Sequence, residues 1–489
     1  MTAATAALDP GPPITGPGPG ADADDTSTRV DFGRWEREFA ADSGCSHPIQ
    51  LRHRTDMIDL PTGELATAYG QASTACGNRR EAVCPACSQV YKRDARQLVR
   101  AGLAGGKGIP TTITAHPCVF ATLTAPSFGP VHSRRMRGKT VLPCRPRRDA
   151  TARRCPHGRD ISCPTRHVEA DPRLGQPMCG DCYDYQAAVL FNAHAADLWR
   201  RFVTYLPRHL ARLAGVTQKM LRAQLRIRFV KVAEYQARGV VHFHAVIRLD
   251  RTPDPGFMDG SYDAPDPSFT ADLLCQAIGQ AAAAVRIVIG HHGQNGTLGF
   301  GPQTDTRIIR HGTELPGTGQ ALNGQAVANY IAKYATKTIT ARGLPSVRIR
   351  READIADLRC PAHYRAMIAA AWQLGSTRHD VRFRAWPHML GYGGHFLTKS
   401  RRYSVTFGQL RQARTDHRRA TRSADPGRDA WGRSLNETVV LVLGTIWTYV
   451  GIGHSTVTAG AELAAASAAR AREHSARPTP VDDSVSTGP

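Results

Sequence analysis

Two short segments carry the residue types that could do chemistry. The first, VVHFHAVIRL, places His242 and His244 two residues apart within an apolar run. The second, VANYIAKYATK, places Tyr330 and Tyr334 four residues apart. Imidazoles bind divalent metal ions, and an activated phenol is a nucleophile. Together these groups are the parts needed to break and rejoin a DNA strand through a covalent phosphotyrosine.

The histidine pair needs a strand to align it. Side chains alternate faces along a strand, so His242 and His244 point the same way, about 7 Å apart. Glu234 lies eight residues before His242, and the intervening EYQARG predicts a hairpin turn. A hairpin would bring the carboxylate beside the imidazoles as a third ligand, a set that suits Mg²⁺ or Mn²⁺. The alternative is that both histidines are ordinary core residues.

The tyrosine segment needs a helix. Tyr330, Lys333, Tyr334 and Lys337 fall at i, i+3, i+4 and i+7, which is one stripe of a helix. A phenol has an ordinary pKa of about 10, so it needs help to ionise. We expect Lys333 and a metal-polarised phosphate to favour the phenolate of Tyr330. The alternative is that the tyrosines only rim a core.

The charge balance indicates a polyanionic partner. Among 489 residues, Lys and Arg number 63 and Asp and Glu number 41, a formal net charge of +22. Nine basic residues and one acid lie between Arg134 and Arg154, and eight basic residues and one acid between Lys399 and Arg422. Clustered positive charge favours nucleic acid as the partner.

Two segments bear on location. Residues 1–28 have neither a basic nor an apolar region of a secretory signal, so they predict a disordered tail and a cytoplasmic protein. The apolar run at 439–453 is shorter than the roughly 20 residues of a membrane span, so we expect no membrane partner. Its β-branched and aromatic residues predict a buried strand or strand pair instead.

The twelve cysteines predict zinc sites, because a reducing compartment disfavours disulfides. Each of two C-x-x-C motifs presents two thiolates to one ion. The first predicted site comprises Cys45, Cys76, Cys84 and Cys87. The second comprises Cys179 and Cys182 with two of Cys144, Cys155, His157, Cys163 and His167, of which Cys155 and Cys163 lead. Sites with four protein ligands are structural, and the second would shape a basic module for binding duplex DNA.

Several motifs of the sequence resemble those of a known family. HFHAVI resembles the His-hydrophobe-His motif of HUH endonucleases, and FATLTAPSFG is similar to their Thr-Leu-Thr motif. The Val327-x-x-Tyr330-x-x-Lys333 spacing resembles their third motif, and the order of the three is that of rolling-circle replication initiators. The strings CPHG, LGQPMCGDCYDY, KYATKT and GGHFLTKSRRYS are similar to RepSA-type initiators of actinomycete plasmids and integrative elements. The resemblance covers about residues 41–475.

The resemblance implies a plasmid rolling-circle replication initiator that nicks and joins single-stranded origin DNA. Tyr330 would keep the 5′ phosphate and release a 3′-OH that primes a host polymerase, with a host helicase as a further partner. Tyr334 would take the second transfer, unless water activated by a carboxylate such as Glu234 does so. The residues expected to contact DNA are Thr122, Thr124, Lys337, Arg401 and Arg402.

The sequence also allows two alternative hypotheses for the function. A transposase or relaxase uses the same chemistry, although relaxases carry the tyrosine before the histidines. A non-enzymatic, zinc-containing DNA-binding regulator would use His242 and His244 only as core residues.

The predicted fold class is α+β, with an antiparallel-sheet HUH nuclease domain, zinc-binding insertions and a mixed C-terminal region. The expected divisions are a disordered tail (1–40), a zinc-binding module (41–105), the nuclease domain (106–345) with an insertion at 134–182, a basic DNA-binding region (346–475) and a second tail (476–489).

Overall fold

The computed structural model describes residues 44–138, 140–147, 154–253, 262–291, 294–309, 324–336, 344, 348–377, 383–421 and 440–453. Within these ranges no helix is both long enough and apolar enough to cross a membrane.

Strands and helices are mixed along these ranges. The strands are β1 (Ile49–Asp59), β2 (Leu65–Thr74), β3 (Cys118–Leu123), β4 (Arg135–Arg137), β5 (Thr140–Leu142), β6 (Leu225–Tyr235), β7 (Val241–Arg251), β8 (Ile287–His291), β9 (Gln294–Leu298), β10 (Thr304–Ile308), β11 (Leu397–Lys399) and β12 (Val440–Ile452). The α-helices are α1 (Pro85–Ala104), α2 (Tyr185–Leu213), α3 (Gln218–Gln224), α4 (Ala271–Ala284), α5 (Gly324–Thr336), α6 (Ala353–Ala356), α7 (Ala362–Thr377) and α8 (Phe407–Thr421).

A five-stranded sheet in the order β10-β3-β7-β6-β11 forms the centre of the fold, and every neighbouring pair in it is antiparallel. The predicted hairpin is its spine: β6 and β7 pair from Leu225 opposite Arg251 to Tyr235 opposite Val241. Gly239 occupies the left-handed region in the turn, with φ of 73°. The fold is therefore α+β with an antiparallel sheet, as the sequence predicts.

Helices cover both faces of this sheet. On one face Phe243 of β7 lies in a core with Phe202 of α2 and Ile278 of α4. On the other face Val246 of β7 lies in a core with residues of α1 and α5. Residues on both sides of the predicted domain boundary at residue 105, such as Leu103 and Ile109, belong to this second core.

The ends of two helices follow from local sequence and packing. α2 continues through Pro207 to Leu213. Leu206 and Leu210 are fully buried on either side of the proline, and their packing offsets the lost backbone hydrogen bond. Helix α4 ends at Ala284, and the following Ile287–His291 forms β8, because its β-branched residues favour a strand.

A second sheet, in the order β12-β1-β2, holds the apolar run near the end of the chain. The run forms the predicted strand, but the expectation that it is buried is wrong. Consecutive side chains are open to solvent, Ile446 at 61% and Trp447 at 53%, so both faces of β12 are exposed among the described residues. Antiparallel pairing with β1 satisfies the backbone groups along one side of this edge strand without covering its side chains.

Asn192 of α2 ties three distant segments together at the start of β7. Its amide nitrogen donates to the carbonyls of Gly239 and Leu390, each at 2.9 Å. Its carbonyl oxygen accepts from the backbone N–H of Val241, also at 2.9 Å. The side chain is fully buried, so no water replaces it if it is lost.

We predict that Asn192→Leu, which keeps the volume of the side chain, lowers the free energy of unfolding by about 3 kcal/mol, because three buried backbone groups lose their partner. Urea unfolding followed by tryptophan fluorescence measures the change. Gln186→Leu, at an exposed position of the same helix, is the matched control and should shift the midpoint little. Equal midpoints for the two variants would contradict this role for Asn192.

Candidate active site: two histidines, a glutamate and two tyrosines

The register of the central sheet brings the predicted ligands together. Glu234 on β6 is directly opposite His242 on β7, as the hairpin requires. One carboxylate oxygen, Glu234 Oε2, lies 3.0 Å from His242 Nε2 and 3.1 Å from His244 Nε2. The two imidazoles and the carboxylate therefore converge on one point above the sheet.

Two residues of β3 position His244. Thr122 is opposite His244 in the sheet, and its hydroxyl lies 3.1 Å from His244 Nδ1. Because a hydroxyl both donates and accepts, Thr122 can hold the ring whichever nitrogen carries the proton. The ring of Phe120 stacks on the imidazole at 5.7 Å between centroids. Together these contacts fix the direction in which Nε2 points.

Burial and pairing set the charges of the cluster. Burial alone raises the pKa of Glu234, but hydrogen bonds from His242 and His244 outweigh it and lower the pKa to about 2. Burial, and then the charge of His242, lower the pKa of His244 to about 4. The cluster therefore holds an ionised carboxylate and a neutral His244 at neutral pH.

Helix α5 carries the tyrosines over this cluster. Val327 and Ile331 form its buried row, which docks α5 on α1 and the sheet. The Tyr330 hydroxyl lies 3.4 Å from His244 Nε2. The rings of Tyr330 and Tyr334 are 4.7 Å apart, and that of Tyr334 is 5.7 Å from the imidazole of His244. Both predicted nucleophiles therefore face the histidine pair.

The surroundings keep both phenols neutral. Burial, and then the charges of Tyr334 and Glu234, hold the pKa of Tyr330 above its usual range. Burial, and then the charge of Glu234, raise the pKa of Tyr334 as well. A positive charge beside Glu234 would reverse the electrostatic part of this effect.

The lysines of the stripe lie differently. Lys333 is exposed to solvent, and its ammonium group is 5.9 Å from the centre of the Tyr334 ring. Lys333 therefore lies beside the second tyrosine of the stripe. Lys337 lies outside the described residues.

The donor set fits a divalent cation. Three ligand atoms, one from each of Glu234, His242 and His244, lie within 4.8 Å of one another. The carboxylate oxygen suits Mn²⁺ and Mg²⁺, and the two imidazole nitrogens favour a transition-metal ion such as Mn²⁺ over Mg²⁺. Three protein ligands also leave coordination positions for phosphate oxygens.

The other residues expected to contact DNA are spread along the sheet. Thr124 is 8% exposed at the end of β3. Arg401 and Arg402 follow β11, whose Lys399 is opposite Val230, towards the end of β6 remote from Glu234. The structure therefore brings Thr122 to the histidine pair and leaves Arg401 and Arg402 away from it.

The first predicted cysteine site is assembled. Cys45, Cys76, Cys84 and Cys87 place their sulfur atoms within 4.8 Å of one another. The distances Cys45–Cys84 and Cys76–Cys87 are each 3.7 Å. Tetrahedral zinc with Zn–S bonds of about 2.3 Å sets sulfur atoms about 3.8 Å apart, so the cluster has the size of a zinc site.

The second predicted site needs a correction. Cys155, Cys179 and Cys182 do come together, but their fourth member is His157 and not Cys163. His157 Nδ1 lies 3.2 Å from Cys182 Sγ. Cys163 lies in another cluster, because its backbone pairs with Arg145 on a separate turn of the chain. Sequence spacing ranked Cys163 above His157 and carried no information on this pairing.

Sequence reasoning missed three residues near the site. Phe120, two residues before Thr122 of the Thr-Leu-Thr motif, stacks on His244. Asp305 is opposite Thr122, and its charge reaches His244. The charge of Glu169 contributes to the raised pKa of Tyr334. The two acids belong to no motif, and only the folded chain brings them near the cluster.

Comparison with known proteins identifies the family to which the chain belongs. The sequence profile of a family described as RepSA, replication initiator protein, pSAM2, matches residues 31–469. A replication initiator protein of Streptomyces ambofaciens is 40% identical over 454 residues, which cover 90% of each chain. No solved structure matches.

A match of this extent defines a class of protein, the replication initiators. Within it, the chain belongs to the RepSA family.

We predict that Thr122→Val weakens Mn²⁺ binding by roughly 10- to 100-fold, because the ring of His244 loses the hydroxyl that orients it. Valine keeps the shape of threonine, so the strand should be preserved. Calorimetric titration with Mn²⁺ measures the affinity, and Thr122→Ser, which keeps the hydroxyl, should restore it. Unchanged affinity in the valine variant would show that Thr122 does not position His244.

Proposed function

We propose that the chain is a rolling-circle replication initiator that nicks and joins single-stranded origin DNA through a 5′-phosphotyrosine. One observation carries the proposal: the hydroxyl of Tyr330 lies 3.4 Å from His244 Nε2, beside the Glu234 carboxylate. A candidate nucleophile and a candidate metal site thus share one face of the sheet. The HUH endonuclease class accounts for both.

The proposed reaction is an in-line transfer. The phenol oxygen of Tyr330 forms a bond to the scissile phosphorus, and the bond from phosphorus to the 3′ oxygen breaks. The phenol proton passes to solvent, and the departing 3′ oxygen takes up a proton to become a hydroxyl. The 5′ phosphate stays on the protein and keeps the energy of the phosphodiester for the joining step.

The side chains divide the work. Glu234, His242 and His244 would hold a divalent cation, Mg²⁺ or Mn²⁺. When bound, that cation supplies positive charge next to the phenol and the scissile phosphate. Thr122 and Phe120 keep His244 in place, and Tyr330 provides the oxygen that is transferred. Lys333, exposed beside Tyr334, would contact the DNA backbone.

Duplex DNA would be held by the basic insertion, which we define as residues 131–183 between β3 and α2. Its described arginines are exposed to solvent: Arg134, Arg135, Arg137, Arg145, Arg147, Arg154, Arg159, Arg166 and Arg173. Such residues neutralise phosphates and position a duplex. Zinc in the Cys155 cluster would stabilise the basic insertion, and zinc in the Cys45 cluster would stabilise the N-terminal segments that carry its four cysteines.

A host polymerase would extend the released 3′-OH, with a host helicase as a further partner.

Membership of the RepSA family favours an initiator over the transposase or relaxase that the same three motifs allow. The convergence of Glu234 with both histidines favours an enzyme over a DNA-binding regulator. Core histidines in a regulator would not require a shared carboxylate and two phenols on the same face.

We predict that Tyr330→Phe abolishes the covalent adduct, because the ring and its packing remain while the attacking oxygen is lost. The substrates are single-stranded oligonucleotides that tile both strands of the DNA flanking the gene, incubated with Mn²⁺. With the unmodified protein, SDS gel electrophoresis should show an adduct when the oligonucleotide is 3′-labelled and a free product when it is 5′-labelled. With Tyr330→Phe neither should appear.

Tyr69→Phe is the matched control for this experiment, since Tyr69 is 72% exposed on β2, outside the cluster. It should form the adduct normally. An adduct in Tyr330→Phe at the normal rate would remove Tyr330 from the proposal and assign the attack to Tyr334. Failure of the unmodified protein to form any adduct with any oligonucleotide would overturn the proposed function.

We predict a different phenotype for Tyr334→Phe. Its ring lies beside that of Tyr330 and reaches the same imidazole, so it is placed to take the second transfer. Initiation needs only one phenol, whereas release of a circle from an occupied protein needs a second acceptor. Tyr334→Phe should therefore nick a single origin normally and release at least 10-fold fewer circles from a template with two origins.

The assay separates the two possible acceptors. Normal circle release by Tyr334→Phe would show that Tyr334 is not a nucleophile. Water activated by a carboxylate, such as Glu234, would then complete the round. Tyr69→Phe again serves as the control for general effects of removing a phenol.

A further inference from the structure

A third cluster of ligating side chains lies in the basic insertion. His132, Cys144, Cys163 and His167 place one ligand atom each within 4.8 Å of the others. Cys144 and His167 are each 1% exposed, and Cys163 is 5% exposed. Three of the four ligating side chains are therefore buried, and only His132 is partly exposed.

The distances within the cluster match a tetrahedral ion. His132 Nδ1 lies 3.2 Å from His167 Nε2, and Cys163 Sγ lies 3.5 Å from the same nitrogen. Zinc bonds of about 2.0 Å to nitrogen and 2.3 Å to sulfur set these separations at roughly 3.3 and 3.6 Å. Two thiols and two imidazoles at this spacing form a Cys₂His₂ set.

The opposite side of the His167 ring is held in the manner of a metal ligand. His167 Nδ1 lies 2.7 Å from an oxygen of Asp171. The carboxylate can only accept, so Nδ1 carries the proton and Nε2 presents a lone pair to the cluster. Arg173 donates to both oxygens of Asp171, at 3.2 and 3.0 Å, and so holds the carboxylate in place. A carboxylate behind a ligating histidine is the usual support of a zinc site.

The backbone brings the two cysteines together. Arg145 and Cys163 exchange two backbone hydrogen bonds, of 2.8 and 2.7 Å, so Cys144 and Cys163 lie on adjacent segments. The backbone N–H of Ser133 donates to Cys144 Sγ at 3.2 Å, which stabilises a thiolate. The ligands come from four turns that contribute little regular structure, since the strands β4 and β5 have only three residues each.

We propose that His132, Cys144, Cys163 and His167 bind a third structural zinc. The insertion then holds two zinc ions, this one and the one proposed at the Cys155 cluster. Two ions explain how a segment rich in exposed arginines keeps a defined shape without a large core. The site also holds the turn from His167 to Asp171, which places the charge of Glu169 close enough to affect Tyr334.

Zinc counting tests the proposal on the full chain purified without chelator. We expect Cys144→Ser/Cys163→Ser to contain one zinc fewer per chain than the unmodified protein. Cys275→Ser/Cys360→Ser is the matched control, because both cysteines lie outside the clusters, and it should lose none. Equal zinc content in Cys144→Ser/Cys163→Ser and the unmodified protein would overturn the proposal.

A second measurement tests the proposed zinc site if the Cys144→Ser/Cys163→Ser variant does not fold. Zinc K-edge absorption of His242→Ala/His244→Ala, which keeps zinc out of the Glu234 site, reports the average ligand set. Three occupied clusters contain nine thiolates and three imidazoles, a ratio of three to one. The two clusters without the third give seven thiolates to one imidazole. Three zincs at the first ratio support the proposal, and two zincs at the second overturn it.

Discussion

The antiparallel pairing of β6 with β7 is the interaction on which the site depends. Glu234 and His242 are opposite each other in this ladder, so the distance between carboxylate and imidazole follows from the spacing of two strands. A slip of one residue would turn Glu234 to the opposite face, because side chains alternate along a strand. The tight turn at Gly239 and the buried side chain of Asn192 prevent such a slip.

The hairpin, the face of the histidines and the tyrosine stripe could be predicted because each is a matter of local spacing. The position of Glu234 beside the histidines followed from the hairpin, since a turn of known length pairs known residues. The partner of Cys155 could not be predicted, because several cysteines and histidines lie within reach and only the backbone path selects His157. The exposure of β12 could not be predicted either, since an apolar pattern predicts a strand but not which residues cover it.

Helix α1 links the first cysteine cluster to the tyrosines. The helix begins directly after Cys84 and carries Cys87 in its first turn. Farther along, Leu98 shares a core with the Val327 row of α5. Arg79, in the segment between Cys76 and Cys84, donates to the carbonyl of Ala335 near the end of α5. The cluster and the tyrosine helix are therefore parts of one rigid support, and the position of Tyr330 over His244 depends on both.

The sheet that joins β12 to β1 has a consequence for the order of synthesis. Ile49 of β1 pairs with Ile452 of β12, so the first strand meets its partner only after some 400 further residues have been made. At ribosomal rates of about 5 to 20 residues per second, that interval is roughly 20 to 80 seconds. Until then β1 and β2 form a two-stranded hairpin, which is marginally stable in water and has an open edge. The edge of β1 therefore stays unpaired for most of translation, until β12 covers it and becomes an edge strand of the described sheet.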